Sequence, residues 1–348
     1  MKKTATRIGF VLLLIFTFYI ISTVLKLKSP HGIAQKDCFY WQPENSIDVV
    51  MMGSSHIHCN INNALLWEKY GIASYDYSGA EQPLWMTYYY LKEIYKYQDP
   101  KIIVLDLYAP ARFKEDYQYT WISENIYGMR FSSNKLQMLL VSVEPGKILN
   151  YFPSYRIYHN RYDELNKDDF NHFFWDSDHM ENFKGYTPYL KQEPQIRPEI
   201  TEKRKDGLTE KSLKYLMKII DYTKEKDTTL ILIAAPYITT NEDARTFNQI
   251  KEIASEYDIT FINFNDYYDE IGLDFDTDFN DDSHLNYWGS CKFTEYFGDF
   301  LSSYLVLPDH RGQKDYESWD ECVQYIKNYV NNYAKNANLV DKLFFTML

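Results

Sequence analysis

Five short apolar runs, separated by stretches with helical spacing, restrict this 348-residue chain to few architectures. The runs are Ile47 to Met52, Ala73 to Tyr77, Lys101 to Leu107, Thr228 to Ala235 and Ile259 to Phe264. Near-continuous apolar runs of this length suit parallel strands covered on both faces. Helical segments are expected over Asn62 to Tyr70, Gln82 to Tyr97 behind Pro83, Thr209 to Lys226 and Asn241 to Tyr257, with a last one starting near Asn286. The alternation predicts an α/β fold, a three-layer α/β/α arrangement around a parallel sheet.

Two regions depart from this rhythm. Ile8 to Leu25 holds no charged residue, and at about 1.5 Å per residue it reaches roughly the thickness of a bilayer's hydrocarbon core. It reads as an uncleaved transmembrane helix rather than a signal peptide, whose apolar region is usually shorter. Lys2, Lys3 and Arg7 before it favour a cytoplasmic N-terminus, so the rest of the chain is expected outside the cytoplasm, anchored by a single pass. The second departure, residues 109–207, is rich in Tyr, Phe, Trp, Asn and Asp and reads as a partly helical insertion over one end of the sheet. The expected organisation is therefore residues 1–25 as N-terminus and anchor, 26–45 as a polar linker, 46–310 as the α/β domain and 311–348 as a helical extension. In that extension Tyr316, Trp319, Val323, Tyr325, Ile326 and Val330 share one stripe.

A net charge of −12 and the lack of a basic stripe argue against nucleic acid as a partner. Cys38, Cys59, Cys291 and Cys322 have no paired spacing and read as small buried thiols.

Chemistry concentrates at two places. The segment VVMMGSSHIHCN sets Gly53, Ser54 and Ser55 at the end of a strand and the start of a helix, where a serine can face the carboxyl edge of the sheet. Far downstream, FNDDSHLNYWGS carries Asp281 and His284 three residues apart before a helix. That spacing lets the carboxylate hold Nδ1 and leaves Nε2 free to act as a base on a hydroxyl. A structural alternative stands beside each: Ser54 or Ser55 as a helix cap, and Asp281 or Asp282 as the cap of the following helix.

Taken in order, a strand ending in Gly-Ser-Ser, a glycine after the second strand and a late Asp-x-x-His resemble the SGNH/GDSL hydrolase superfamily. The resemblance implies Ser55 as nucleophile, His284 as base, Asp281 as its orienting carboxylate, and the backbone N–H groups of Ser55 and Gly79 as the oxyanion hole. The usual Gly-x-Asn-Asp block after the third strand is replaced by DLYAPAR, leaving Tyr108 or Arg112 as substitutes for the third donor. With the anchor, this is more similar to the divergent membrane-anchored branch that includes DltD and the alginate O-acetylation proteins. That branch implies a cell-envelope polymer as substrate and a membrane-bound O-acyltransferase as partner.

The expected function is thus an extracytoplasmic serine acyl esterase or O-acyltransferase acting through an acyl-serine, requiring no cofactor and no metal. Arg156, His159, Arg161 and Lys184 in the insertion are candidates to line the cleft and hold an anionic substrate, with pairing to the nearby Asp163 and Glu164 as the structural alternative. Two other readings remain: a metal hydrolase using the His56 and His58 pair, and a non-catalytic, anchored glycan-binding or assembly protein.

Overall fold

The computed structural model describes residues 2–27, 30–152, 154–171 and 183–346. Five parallel strands form one sheet: β1 Val49–Met52, β2 Ser74–Asp76, β3 Ile102–Asp106, β4 Thr229–Ala234 and β5 Thr260–Asn263. Their order is β2-β1-β3-β4-β5. The chain therefore leaves β1 to one side for β2 and returns to its other side for β3, so the strand order reverses between β1 and β3. In open parallel sheets, ligands settle at the carboxyl ends beside such a reversal.

The helices are α1 Lys2–Leu25, α2 Gln35–Phe39, α3 Ser55–Asn60, α4 Asn63–Tyr70, α5 Leu84–Ile94, α6 Tyr108–Arg112, α7 Ile122–Tyr127, α8 Ser133–Ser142, α9 Tyr155–Tyr158 and α10 Lys167–Asn171. They continue with α11 Glu210–Glu225, α12 Asn241–Glu256, α13 Tyr268–Ile271, α14 Tyr287–Tyr304 and α15 Glu317–Thr346. Alternate strand residues serve two separate cores. Val50, Met52, Ile103, Leu105 and Leu232 pack with α5, α11 and part of α12 on one face. Val49, Met51, Ile102, Val104, Ile231 and Ile233 pack with α3 and α14 on the other. This is the three-layer α/β/α arrangement, and it explains the unbroken apolar runs: both faces of the sheet are dry.

Helix ends follow ordinary capping. Asn62, Thr209 and Thr240 accept backbone N–H bonds at the starts of α4, α11 and α12. Asn286 accepts from the backbone N–H groups of Trp288 and Gly289, so it, rather than an aspartate, caps α14. On α15, Trp319, Cys322, Val323 and Ile326 are buried, with Trp67 ringed by Tyr316 and Trp319. Tyr325 falls off that stripe and is exposed.

Two expectations change. Much of the segment expected as a polar linker, 26–45, joins the core: Ile33, Gln35, Lys36, Cys38, Phe39 and Tyr40 are buried, while Trp41 and residues 43–45 stay exposed. Its polar groups have distant partners, with the Gln35 amide donating to the Gly185 carbonyl and the Tyr75 hydroxyl to the Gln35 carbonyl. The insertion also splits in two. Residues 122–171 form short helices that pack beside α5 and the end of α1, whereas residues 183–208 run as an extended strap along the carboxyl edge of the sheet. The strap is fixed by Thr187 N donating to His58 O, Glu193 N to Phe279 O and Gln195 N to Phe275 O. The cysteines are free thiols as expected, three buried and Cys291 half-buried.

Candidate active site

β1 ends at Met52, and the chain turns sharply at Gly53. A Cβ there would lie 2.9 Å from Asp106 Cβ and 3.1 Å from the Ile57 side chain, and its φ of +148° is one that side chains rarely adopt. Only glycine lets the β1–α3 turn pass this close to the end of β3. Ser54 follows in extended backbone as the residue before α3, but its side chain makes no capping bond, and Ser55 opens the helix. As the first helical residue, Ser55 has a backbone N–H with no intrahelical acceptor.

Ser55 Oγ lies 2.8 Å from His284 Nε2. His284 Nδ1 in turn lies 2.9 Å from Asp281 Oδ1 and 3.1 Å from Oδ2. The carboxylate also accepts from the backbone N–H groups of Ser283 and His284 at 2.8 and 2.9 Å, and from the Asn280 amide at 2.8 Å. Burial alone would raise the Asp281 carboxyl, but His284 and these donors outweigh it and hold the group down at about 2. Asp281 is thus ionised at any working pH, which favours the tautomer that carries its proton on Nδ1 and leaves Nε2 to accept from Ser55. His284 keeps 18% of its side chain exposed and Asp281 36%, so the row of three opens to solvent.

The loop bearing His284 is held from several sides. Asn280 N donates to the His284 carbonyl, and Ile238 N to the Asp282 carbonyl. Asn60, fully buried at the end of α3, accepts from Leu285 N at 3.0 Å and donates to the Pro236 carbonyl at 3.2 Å. One side chain therefore fixes the helix carrying Ser55, the loop carrying His284 and the end of β4. The rings of Tyr189, in the strap, and His56 each sit 5.6 Å from the His284 ring.

His56 and His58 turn to different partners. His56 is fully buried, stacked on Tyr108 with ring centroids 3.5 Å apart, and burial followed by the nearby His284 keeps its imidazole well below the ordinary value. A neutral ring there packs against His284 without adding charge. His58 Nδ1 lies 3.0 Å from Ser78 Oγ. Among the described residues, no group of three His, Cys, Asp or Glu side chains is gathered as a cation site.

Gly79 follows β2, whose Asp76 is paired in register with Met51 of the neighbouring β1, so the β2 loop and the Ser55 turn rise from adjacent strand ends. The loop is tied to α3 by the Ser78–His58 contact and from beneath by Lys36, whose Nζ donates to the Ser78 carbonyl at 2.9 Å. Lys36 is fully buried, and burial lowers its ammonium to about 7.

The other residues expected at the site fare differently. The Tyr108 hydroxyl donates to Ser283 Oγ at 3.3 Å, at the edge of the His284 loop. Arg112 lies 3.6 Å from Asp243, at the first turn of α12. His159 and Arg161 have their partners elsewhere: His159 Nδ1 contacts the Arg156 carbonyl, and Arg161 bonds the Leu25 carbonyl and Asp169. These are groups of the anchor end and the insertion, so the expectation that His159 and Arg161 line the cleft is corrected. Lys184 is buried, donating to Gln42 Oε1 and Ser318 Oγ at 2.6 Å. Asp106, in the place of the missing block, is a buried linker between strands: it accepts from Tyr108 N at 3.1 Å and Ala235 N at 3.0 Å. Burial outweighs those bonds and raises its carboxyl to about 7.

Asn60, Ser78 and Lys36 were not singled out by sequence, and His58 was singled out only as half of a metal-binding pair. The available signal was weak: polar side chains inside segments otherwise apolar enough to be buried.

The sequence matches no protein-family model and no curated protein. Among solved structures, the chain is similar to a candidate acylhydrolase from Bacteroides fragilis, at 11% identity and a TM-score of 0.38 over 78% of this chain and 94% of that one. It is also similar to a candidate GDSL-like lipase from Parabacteroides merdae, at 11% identity and a TM-score of 0.34 over 82% of this chain and 98% of that one.

Proposed function

We propose that this chain is a serine acyl esterase or O-acyltransferase of the SGNH/GDSL type, held at the cell membrane with its catalytic domain outside the cytoplasm. It acts on a cell-envelope polysaccharide or a teichoic-acid-like polymer. The observation that carries the reading is the unbroken row from Ser55 Oγ through His284 to Asp281, with contacts of 2.8 and 2.9 Å.

In this reading the Ser55 hydroxyl attacks the ester carbonyl while His284 Nε2 takes its proton, and Asp281 stabilises the resulting imidazolium. The carbonyl oxygen becomes an oxyanion, met by the backbone N–H of Ser55 and that of Gly79. Collapse of the intermediate breaks the bond to the alcohol, which leaves with the proton from His284, and the acyl group stays on Ser55. Water or a sugar hydroxyl then gives its proton to His284 and takes the acyl group, regenerating the serine. Hydrolysis and transfer differ only in that acceptor. Tyr108, whose hydroxyl bonds Ser283 Oγ beside the His284 loop, is the residue proposed for the missing third donor.

Support for the location comes from Lys3–Leu25, a helix long and apolar enough to cross a membrane and only 6% buried against the protein. A membrane-bound O-acyltransferase is the partner that would supply acyl groups to such a domain. The test is cleavage of an acetyl ester and release or transfer of acetate on acetylated envelope polymer, by the wild type and by Ser55→Ala and His284→Ala. Both variants should lose turnover; polymer binding that persists alongside turnover unaffected by either substitution would end this reading.

A further inference from the structure

The insertion carries a surface whose place relative to α1 says what covers it. Leu149, Phe131, Tyr162 and Phe170 are 67%, 72%, 71% and 52% exposed, in a stretch that packs on the domain through Met138, Leu139, Val143 and Tyr158. Isolated exposed apolar residues are ordinary. What distinguishes these is continuity with the anchor. Tyr155, at the start of α9, packs its ring 5.3 Å from that of Phe18. Phe18 lies inside the apolar span that ends at Leu25, seven residues below that end, which at about 1.5 Å per residue is about 10 Å of depth. Arg161 holds the same end from above by donating to the Leu25 carbonyl at 2.7 Å, and Lys26 bonds Asp37 at 3.3 Å. α1 is therefore not a free tether; its last two turns are clasped by the insertion.

If α1 crosses the bilayer, α9 cannot remain in water, because its partner ring lies below the level of the headgroups. Interfacial helices ride about 5–10 Å into the boundary between headgroups and acyl chains, presenting aromatic and aliphatic side chains downward and cations to the phosphates. The segment offers that chemistry: Tyr155, Tyr162 and Phe170 around the anchor, with exposed Arg156 beside them. Exposed Leu149 and Phe131, the latter stacked on Phe152, supply further apolar side chains shortly before α9 in the chain.

We propose that residues 131–170 form a second membrane contact, seating the catalytic domain on the lipid surface rather than letting it swing on α1. This rests on the reading of α1 as an uncleaved anchor. The seat also fixes the active site relative to the membrane, because Gln35 and Lys36, about ten residues past the end of α1, brace the strap and the Gly79 loop. An acyl donor or acceptor that is itself held at the membrane would then meet a site of constant height.

The test places p-benzoylphenylalanine at Leu149, Tyr162 or Val306 of the full chain in nanodiscs of phosphatidylethanolamine and phosphatidylglycerol. Val306 is 92% exposed beside the core on the opposite face of the sheet. Irradiation should add the mass of a phospholipid at Leu149 and Tyr162 and not at Val306. Intact mass showing that α1 is retained, with no lipid adduct at either position, would overturn the seat while leaving the anchor standing. A protein adduct at those positions in native membranes would likewise overturn it. Removal of α1 from the mature chain would overturn both.

Discussion

Replacing Asp281 by asparagine tests whether the carboxylate does more than hold a loop. Its two oxygens receive four donors: Asn280, the backbone of Ser283 and His284, and His284 Nδ1. An amide offers one oxygen, so one donor must face its NH2 group, and the charge that supports the imidazolium is gone. A hydrogen bond involving a charged group contributes about 1.5–3 kcal/mol, or about 10–150-fold in rate at about 1.4 kcal/mol per decade. If the amide NH2 instead donates to Nδ1, the His284 proton moves to Nε2 and blocks the base, taking the loss toward about 10⁴-fold. Because Asp281 is 36% exposed, solvent screening pulls the charge component toward the lower end. The expected result is a drop in kcat/KM of at least about 10-fold for a soluble acetyl ester, with an unchanged circular dichroism spectrum. The carboxyl is held at about 2, so the wild type should show no loss of activity from Asp281 protonation above about pH 3. A variant within about threefold of wild type would refute the reasoning, since the His284–Asp281 contact would then carry no catalytic load.

Three further substitutions separate positioning from chemistry. Asn60→Ala leaves the buried Leu285 N–H without its acceptor, a cost of about 1–3 kcal/mol; a lower thermal midpoint together with slower acylation is expected, whereas an unchanged midpoint would deny Asn60 its bracing role. Lys36→Met keeps the bulk but removes the bond to the Ser78 carbonyl, so turnover should fall while KM changes little; full activity would show that the Gly79 loop needs no such support. Asp106→Asn probes pH: the folded carboxyl at about 7 lies above its unfolded value, so the unfolded chain releases its proton first, and stability falls as pH rises from about 4 to about 7. Thermal midpoints across that window should decline in the wild type more steeply than in the variant, and parallel profiles would contradict the raised carboxyl.

The strands were readable to within a residue or two because β1 to β4 are buried on both faces, which leaves a near-continuous apolar run in the text, and the half-buried edge strand β5 still keeps Phe261 and Ile262 in its run. The carboxyl-edge position of Ser55 and the Asp281-x-x-His284 spacing were readable for a related reason, since strand ends and short loops constrain which side chains can meet. Residues 26–45 were misread because Gln35 and Lys36 look like solvent-facing residues until their partners, Gly185 and Ser78, are known, and those lie far along the chain. The insertion has no period to read: its short helices are held by aromatic contacts such as Tyr127 with Tyr158 and Phe131 with Phe152. Arg161 carried an ambiguous signal, since a cation that could meet an anionic substrate serves equally to cap the end of α1.

The claim at the centre of this account is that Ser55 is a nucleophile activated by His284. Its most direct measurement is the mass of the peptide containing Ser55 after treatment with a fluorophosphonate, in the wild type and in His284→Ala. A phosphonyl adduct on Ser55 that forms in the wild type and is lost, or slowed by about 10³-fold or more, without the imidazole is the expected result. An adduct on another residue, or labelling of Ser55 at the same rate in both proteins, would contradict it.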